Sequence, residues 1–258
     1  MKAVPIYGSP ALMIGERPNR TLVISDLHLG IERELAEKGI SLPSQIPKAK
    51  AKLMELLTKR KPERLVILGD VKHNVPITTW QEWRELPGFF DDLVKMTKVE
   101  IVLGNHDGYL EGMVPREVVI HDPHGMVLGK RKRVGLMHGH TWPAPELLDT
   151  EIIVAGHNHP AVEFRDELGS RTIEPIWLRA KFDAKKFPKK LQPFIKVRPP
   201  TLLVMPAFSE LVGGVAVNRG MPKEMIGPMF RTGAVKLDEA EAYLLDGTFL
   251  GKVRGLRD

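Results

Sequence analysis

Residues 21–28 read TLVISDLH, a short apolar run that ends in an acid and a histidine. Four further apolar runs end in acid, Asn or His, namely RLVILGD at 64–70, VEIVLGNHD at 99–107, RVGLMHGH at 133–140 and EIIVAGHNH at 151–159. Short runs rich in Val, Ile and Leu are typical of strands that are buried on both faces of a sheet. Because sites assemble at the carboxyl ends of such strands, we expect the polar endings to meet at one edge.

The segments between and after these runs indicate the fold class. Helical patterns are predicted over 46–59 and 79–97, and Pro87 is a candidate break in the second. The later part is rich in strands, with a hairpin predicted over 161–178 and a second over 240–253. This order favours an α/β protein in which two mixed sheets are flanked by helices, the four-layer αββα sandwich. We see no linker, so residues 1–258 are expected to form a single domain.

Composition excludes several classes of protein. The chain has 258 residues, 43% of them hydrophobic and 27% charged, as in soluble globular proteins. It has no cysteine, which excludes disulfides, thiolate metal sites and cysteine nucleophiles. No apolar stretch is long enough to span a membrane, and the N-terminus does not resemble a signal peptide, so a cytoplasmic location without membrane partners is expected. Few amides and many Lys, Arg and Glu residues are typical of a thermophile.

The polar side chains at the strand ends are those that bind divalent metals. A lone Asp after a strand is usually a helix cap, and a lone His is usually a satisfied core residue, but five such endings together favour a site. Three pairs have i,i+2 spacing, and extended backbone would point both members to the same side. Carboxylate, imidazole and amide oxygen suit Mn, Fe, Co, Ni or Zn, and the number of ligands suggests two ions that share Asp70. The candidates are Asp26, His28, Asp70, Asn105, His138, His140, His157 and His159.

The motifs Asp-x-His, Gly-Asp, Gly-Asn-His-Asp, His-Gly-His and Gly-His-x-His, in this order over residues 26–159, resemble the calcineurin-like metallophosphoesterases. The resemblance implies an αββα sandwich with a two-metal site that hydrolyses phosphoesters. It also implies that His106 is the acid/base residue and not a ligand. The implied ligands are Asp26, His28 and His159 for the first metal, Asn105, His138 and His157 for the second, and Asp70 for both.

Two shorter stretches resemble particular branches of this family. Residues 70–73 are similar to the end of the Gly-Asp-Leu-Phe-His motif of SbcD-type DNA repair nucleases, although Val71 and Lys72 depart from it. Residues 205–214, MPAFSELVGG, look like the ligase-associated PdeM phosphoesterases and their archaeal relatives.

The expected chemistry is metal-assisted hydrolysis, with two divalent ions per chain and manganese as the leading choice. Two such ions clamp a phosphoryl group and activate water near neutral pH, and His106 would protonate the departing oxygen. Asp107 either orients His106 or caps the next helix. His73 and His140 either contact substrate oxygens or support the ligands. His121 and His124 are expected to lie in a surface turn.

Net charge points to the substrate. The chain carries +6, and the window 179–198 has eight Lys or Arg against one acid, so the rest is close to neutral. We interpret this window as a basic insertion in which four lysines bind phosphates while Phe182, Phe187 and Phe194 stack bases. The alternative is a solvated loop whose phenylalanines pack on the core. The four lysines are Lys185, Lys186, Lys189 and Lys190.

These observations support three functional hypotheses. The leading one is a metal-dependent phosphodiesterase that acts on nucleic acid, in repair or RNA processing. The second is a phosphodiesterase or phosphatase for small molecules such as cyclic nucleotides. The third, a binding or scaffold protein on a retired enzyme fold, is disfavoured because every implied ligand is present.

Overall fold

The computed structural model describes residues 2–76, 78–130, 133–219 and 227–257. The strands of its first half are β1 Ala3–Pro5, β2 Leu12–Ile14, β3 Thr21–Ser25, β4 Arg64–Leu68, β5 Lys98–Val102, β6 Val119–His121 and β7 Met126–Leu128. Those of its second half are β8 Val134–Met137, β9 Ile152–Ala155, β10 Pro160–Arg165, β11 Arg171–Ala180, β12 Thr201–Val204, β13 Val215–Ala216, β14 Glu241–Leu244 and β15 Phe249–Lys252. The helices are α1 Glu32–Glu37, α2 Ile46–Arg60, α3 Trp80–Val94, α4 Pro145–Leu148 and α5 Pro228–Arg231.

Six strands form the first sheet in the order β1-β2-β3-β4-β5-β6. The central strands β3, β4 and β5 are parallel, and their last residues Ser25, Leu68 and Val102 lie in register. The polar residues that follow the three strands therefore start from one line across the sheet edge. This alignment is the first element that positions the site.

The second sheet follows the order β13-β10-β11-β12-β9-β8-β7, and β14 and β15 are attached beside β11. Strands β8, β9 and β12 are parallel, with Met137, Ala155 and Val204 near the same end of their ladders. The predicted hairpins are confirmed as β10 with β11 and β14 with β15. The sequences after Met137 and Ala155 are thus brought together at one edge of this sheet.

Alternate side chains of the central strands enter different layers. Leu22 and Ile24 of β3 pack with helices α2 and α3, whereas Val23 points to the space between the sheets. Both faces of the strand are buried, which explains the uninterrupted apolar run. Helices α4 and α5 and the connection 181–200 cover the other face of the second sheet. The four-layer αββα arrangement predicted from the sequence is confirmed.

Helix α3 continues through Pro87, so the expected break does not occur. Its first turn is held by a capping box, in which Thr79 accepts from the Glu82 amide and the Glu82 carboxylate accepts from the Thr79 amide. Its Phe89, Phe90 and Leu93 are buried against the sheet, and this packing outweighs the backbone hydrogen bond that proline cannot make. None of the helices in the described ranges is long and apolar enough to cross a membrane.

Candidate metal centre

The loops after β3 and β4 are joined by their main chains. The amide of Asp26 donates to the carbonyl of Gly69 at 3.1 Å, and the amide of His28 donates to the carbonyl of Asp70 at 2.8 Å. The loop after β9 joins them, because its His157 amide donates to both carboxylate oxygens of Asp26. Three loops that are far apart in sequence thus become one rigid unit.

The backbone at this edge is left-handed where an extended conformation was expected. Residues with a left-handed backbone and a side chain cost about 1–3 kcal/mol each and persist only where the surroundings fix them. The expectation that i,i+2 spacing in extended backbone aims each pair is therefore wrong for Asp26/His28 and His157/His159, which the surrounding hydrogen bonds orient instead. The positive φ values are 56° at Asp26, 44° at His28, 49° at Asp70, 69° at His157 and 39° at His159.

Glycines precede the ligand candidates because there is no space for a side chain. A Cβ atom built on Gly104 would lie 2.3 Å from both the amide nitrogen and Oδ1 of Asp70. A Cβ atom on Gly156 would lie 2.6 Å from Oδ2 of Asp26. Contacts this short do not occur in folded proteins, so the glycines of these motifs allow the loops to pack directly on the carboxylates.

Asp26, His28 and His159 form the first group of candidate ligand atoms, all within 4.8 Å of one another. Oδ1 of Asp26 lies 3.2 Å from Nε2 of His159. Burial alone would raise the pKa of Asp26, but His159 and His138 hold it below the usual range. Burial lowers the pKa of His28 to about 3, so this ring is neutral and able to offer a lone pair at neutral pH.

Asp70, His138 and His157 form the second group. Nε2 of His138 lies 3.1 Å from Nδ1 of His157 and 3.2 Å from Oδ1 of Asn105. Nδ1 of His138 donates to the carbonyl of Leu68 at 2.8 Å, so Nε2 of the same ring faces the other side chains of the second group. Burial lowers the pKa of His157 to about 3, whereas the carboxylates of Asp70 and Asp26 outweigh burial at His138 and raise its pKa to about 9.

Asp70 lies between the two groups. Its Oδ2 is 3.6 Å from Nε2 of His28 and 3.3 Å from Nε2 of His138, one histidine from each group. Its Oδ1 accepts a hydrogen bond from the amide of His106 at 2.9 Å. Burial alone would raise the pKa of this carboxyl, but His138 and His28 hold it below the usual range. Asp70 is thus an ionised acceptor that can serve both groups.

The residues present fit divalent metal ions. Within the described ranges, the buried Nε2 atoms of His28 and His157 have no hydrogen-bond partner. Buried polar atoms are normally paired, so unpaired imidazole nitrogens beside buried carboxylates are what a metal would satisfy. The donor set of imidazole, carboxylate and amide oxygen suits the borderline transition metals named above.

His106 and His73 lie beside the first group, and with His28 they form a third set of close nitrogen atoms that sequence reasoning did not foresee as a group. Nδ1 of His73 is 3.1 Å from Nδ1 of His28, and its Nε2 is 2.5 Å from Oε2 of Glu34. Glu34 was missed because it lies on α1, outside any strand-end motif. Only the tertiary contact identifies it.

The other candidate residues have mixed outcomes. His140 is half-buried next to His138 and His157, and burial lowers its pKa to about 4. Both expectations for Asp107 are wrong, because its carboxylate accepts from the amides of Val71 at 2.8 Å and Gly104 at 2.7 Å and so ties two loops together. Its burial and the nearby charge of Asp70 raise its pKa to about 6.

The expectation for the two remaining histidines is half right. His124 lies in a turn over residues 122–125, where its amide donates to the Asp122 carboxylate at 2.8 Å. His121 is not in the turn but is the last residue of β6, with its Nε2 2.7 Å from Oε2 of Glu100. The prediction failed there because the strand extends through His121 before the turn begins.

The tail sequence 205–209 lies directly against the site. The amide of Phe208 donates to the carbonyl of Ser25 at 2.8 Å, and the amide of Ser209 donates to the carbonyl of Asp26 at 3.1 Å. Phe208 is buried in the cluster beneath α2 and α3. This segment, which follows β12 of the second sheet, therefore supports the loop that follows β3 of the first sheet.

The basic window is anchored at the other end of the second sheet. Strand β11 ends at Ala180 opposite Leu202, and β12 begins at Thr201 opposite Ile152, the first residue of β9. The connection between them carries the four lysines, all with exposed side chains. Phe182 and Phe187 are buried in the core and cannot stack bases, so the alternative of core packing is right for them. Phe194 is half exposed.

Comparisons with known proteins agree with this architecture. A model of the calcineurin-like phosphoesterase family matches residues 19–186. No curated protein sequence matches the chain.

Solved structures of other proteins resemble this one, and three of them illustrate the likeness. The nuclease MPE of Pseudomonas putida is 21% identical with a TM-score of 0.56, and the match covers 95% of this chain and 98% of that one. The phosphoesterase YfcE of E. coli is 23% identical with a TM-score of 0.37, over 57% and 74% of the two chains. Vps29 of Entamoeba histolytica in complex with zinc is 15% identical with a TM-score of 0.33, over 75% and 79%. At this level of identity, the likeness to the nuclease shows a shared fold.

Proposed function

The chain belongs to the calcineurin-like phosphoesterase family and is a metal-dependent phosphoesterase, and we propose that it uses two metal ions to hydrolyse phosphodiester bonds in nucleic acid. The observation that carries the two-metal proposal is the position of Asp70 Oδ2, 3.6 Å from a histidine of one ligand group and 3.3 Å from a histidine of the other. One carboxylate that reaches both groups is the arrangement that a pair of ions 3.5–4 Å apart requires.

The proposed ligands divide between the two ions, and manganese is the first metal to test among Mn, Fe, Zn, Ni and Co. Bound divalent ions would offset the charge of the phosphoryl oxygens and supply an activated water. The first ion would be held by Asp26, His28 and His159, the second by Asn105, His138 and His157, and both by Asp70.

His106 is proposed as the acid that protonates the departing oxygen. Its main-chain amide is fixed by Asp70 and its Nδ1 by the carbonyl of His73, so the Nε2 atom is the one available for a substrate. That atom lies 4.0 Å from Oδ2 of Asp70. It is on the side of the site where the first ligand group lies. A positioned acid of this kind contributes roughly 10²–10⁴-fold in rate.

His73 and His140 are proposed to contact substrate oxygens from opposite sides. His73 lies beside His28, and its contact with the Glu34 carboxylate fixes the orientation of its ring. His140 lies beside the second group, and its buried Nδ1 has no hydrogen-bond partner within the described ranges. Within the family, the spacing of His73 after Asp70 supports a relationship to the SbcD-type enzymes. The sequence at 205–214 supports a relationship to the PdeM-type enzymes.

Nucleic acid is the proposed substrate for two reasons. The shared fold with a nuclease over nearly all of both chains makes nucleic acid the first substrate to test. The exposed lysines at 185, 186, 189 and 190 offer phosphate contacts along a strand that extends past the site. Small phosphodiesters such as cyclic nucleotides remain the second candidate, because the ligand groups by themselves recognise only a phosphate.

A substrate panel with Mn²⁺ tests the proposal. Labelled single-stranded DNA, RNA, cyclic nucleotides and a chromogenic diester are incubated with the protein, with EDTA as the control. Cleavage of an oligonucleotide that requires the metal supports the nuclease. Turnover of cyclic nucleotides with intact oligonucleotides would favour the small-molecule enzyme, and no turnover of any diester would contradict the proposed function.

A further inference from the structure

Three large aromatic side chains are exposed on the side of the site that carries His106 and His73. Trp80 is 79% exposed, Tyr109 is 73% exposed and Trp83 is 44% exposed. Tryptophan is one of the more buried residue types, so two exposed tryptophans separated by one helical turn are unusual. We call these three residues the aromatic patch.

The tryptophans are tied to the loop that carries His73. Trp80 is the first residue of α3, directly after the capping Thr79. Glu82, in the same helical turn, accepts hydrogen bonds from the amide of Asn74 at 3.1 Å and from its side chain at 3.0 Å. Because Asn74 follows His73, the start of α3 is fixed directly beside this histidine.

The tyrosine is tied to the loop that carries His106. Tyr109 lies three residues after His106 and has a left-handed backbone, with φ 65°. A bulky residue in this conformation is a true outlier and marks a position that its surroundings determine. A Cβ atom built on Gly112 would be 3.1 Å from the Trp83 ring, so the turn that follows Tyr109 packs against α3. The two parts of the patch are therefore neighbours.

We infer that the aromatic patch binds unpaired bases of a nucleic acid strand whose phosphodiester lies at the metal centre. Aromatic side chains stack on bases of any sequence, and only bases outside a duplex have a free face for such contacts. The patch adjoins the histidine that would protonate the departing oxygen, so the base bound there belongs to the departing side of the strand. The inference rests on the proposed function and narrows its substrate to single strands.

Position distinguishes this patch from other exposed apolar residues. Phe249 is 55% exposed, but it lies on β15 in the hairpin beside β11, away from both histidine loops. The aromatic patch is instead continuous with two loops that reach the ligand groups. A strand whose phosphodiester is held at these groups carries nucleosides that extend beyond the groups and can reach the patch, whereas a lone phosphate or a small alkyl ester would leave the patch uncovered.

The test compares two oligonucleotides with the same single cleavable phosphodiester, one with bases and one with abasic sites on the departing side. In the wild-type protein, KM should be about 5- to 150-fold lower for the base-bearing strand, the range expected for stacking of one base. This ratio should fall toward one in Trp80→Ala and in Tyr109→Ala. Trp80→Phe should retain part of it, and Phe249→Ala should leave it unchanged.

A small methyl nitrophenyl phosphodiester serves as the check on folding and on the metal centre, since its kcat should be unaltered in all four variants. If oligonucleotides are cleaved and the ratio is the same in Trp80→Ala and Tyr109→Ala as in the wild type, the aromatic patch does not bind bases, while the nuclease proposal stands. If the small diester is hydrolysed and no oligonucleotide is cleaved, the nuclease proposal and this inference both fail.

Discussion

The ring of His106 donates its Nδ1 hydrogen to the main-chain carbonyl of His73. This contact joins the loops after β4 and β5 and fixes which nitrogen of His106 carries the permanent proton. The other nitrogen, Nε2, lies 4.0 Å from Oδ2 of Asp70 and can exchange a proton with a substrate. The carbonyl of one candidate substrate-binding histidine thus orients the ring of the candidate acid.

Replacement of His106 by Ala should reduce turnover while leaving metal content near normal. The loss should approach 10²–10⁴-fold for a nucleoside alkoxide, which leaves poorly without a proton, and should be much smaller for nitrophenolate. Steady-state rates on the two substrates and elemental analysis of the variant check this. Equal losses on both substrates would argue against the acid role, and lost metal would make His106 a ligand.

The protein should bind two divalent ions per chain and should lose activity in EDTA. Asp70→Asn should lower metal content at both positions and cost more turnover than His159→Ala, because His159 belongs to only one group. The expected loss in kcat for Asp70→Asn is on the order of 10²–10³-fold or more. Elemental analysis that finds one tightly bound ion in a fully active protein would contradict the two-metal proposal.

Substitution of Gly104 by Ala should damage the site although no proposed ligand residue is replaced. The new methyl group would lie 2.3 Å from the main chain and carboxylate of Asp70, so one of the two loops must move. Overpacking of this kind costs about 1–3 kcal/mol, and here it also displaces the shared ligand. Gly108→Ala in the same loop is the matched control, because its new Cβ atom meets nothing within 4 Å. Thermal unfolding and metal content of both variants measure the difference, and equal behaviour would show that the loop yields easily.

Charge reversal of Lys185, Lys186, Lys189 and Lys190 should weaken single-strand binding without affecting the chemistry. The connection that carries them leaves and re-enters the second sheet at the end away from the ligands, so a small chromogenic diester should be hydrolysed normally. The slope of log K against log salt should flatten by roughly 0.7 per lost phosphate contact. Reversal of four exposed lysines elsewhere on the chain, Lys2, Lys95, Lys236 and Lys252, controls for the same change in net charge. An unchanged affinity and slope in the quadruple variant would leave the window as a solvated loop.

Glu100 should stabilise the fold in a pH-dependent way, far from the ligands. Its hydrogen bond with His121 and the charge of Arg64 hold its pKa below the ordinary value of a glutamate side chain. A carboxyl with a lowered pKa stabilises the folded state above that value, and the contribution is lost as pH falls through the lower pKa of the folded state. Glu100→Gln should therefore cost about 1.5–3 kcal/mol at pH 7, and the cost should shrink in acid. Denaturant unfolding at several pH values measures this loss of unfolding free energy, and the exposed Glu117→Gln is the control. A loss that does not change with pH would contradict the proposed role of Glu100.

Much of the first sheet could be predicted because its strands are buried on both faces. The stretches 22–24, 65–68 and 101–103 along these strands are apolar without interruption, and few other structures tolerate such sequences in a soluble protein. The expected ligand residues after these strands lie together for the same reason, since parallel strands in register deliver their endings to one edge. Pro87 suggested a break in α3 that does not occur, because burial of the apolar face of the helix outweighs the low helix propensity of proline.

The fold class, the edge at which the polar endings meet and the residues that gather there could be predicted from the sequence, because they follow from local apolar patterns and the order of strands. How those residues are aimed depends on the tertiary structure. Their left-handed backbone is held by hydrogen bonds between loops, such as that from the His28 amide to the Asp70 carbonyl. It also decided the roles of Asp107 and Glu34 and the burial of Phe182 and Phe187. Such contacts join residues that are distant along the chain, and no local pattern encodes which distant group will complete a hydrogen bond or cover an apolar ring.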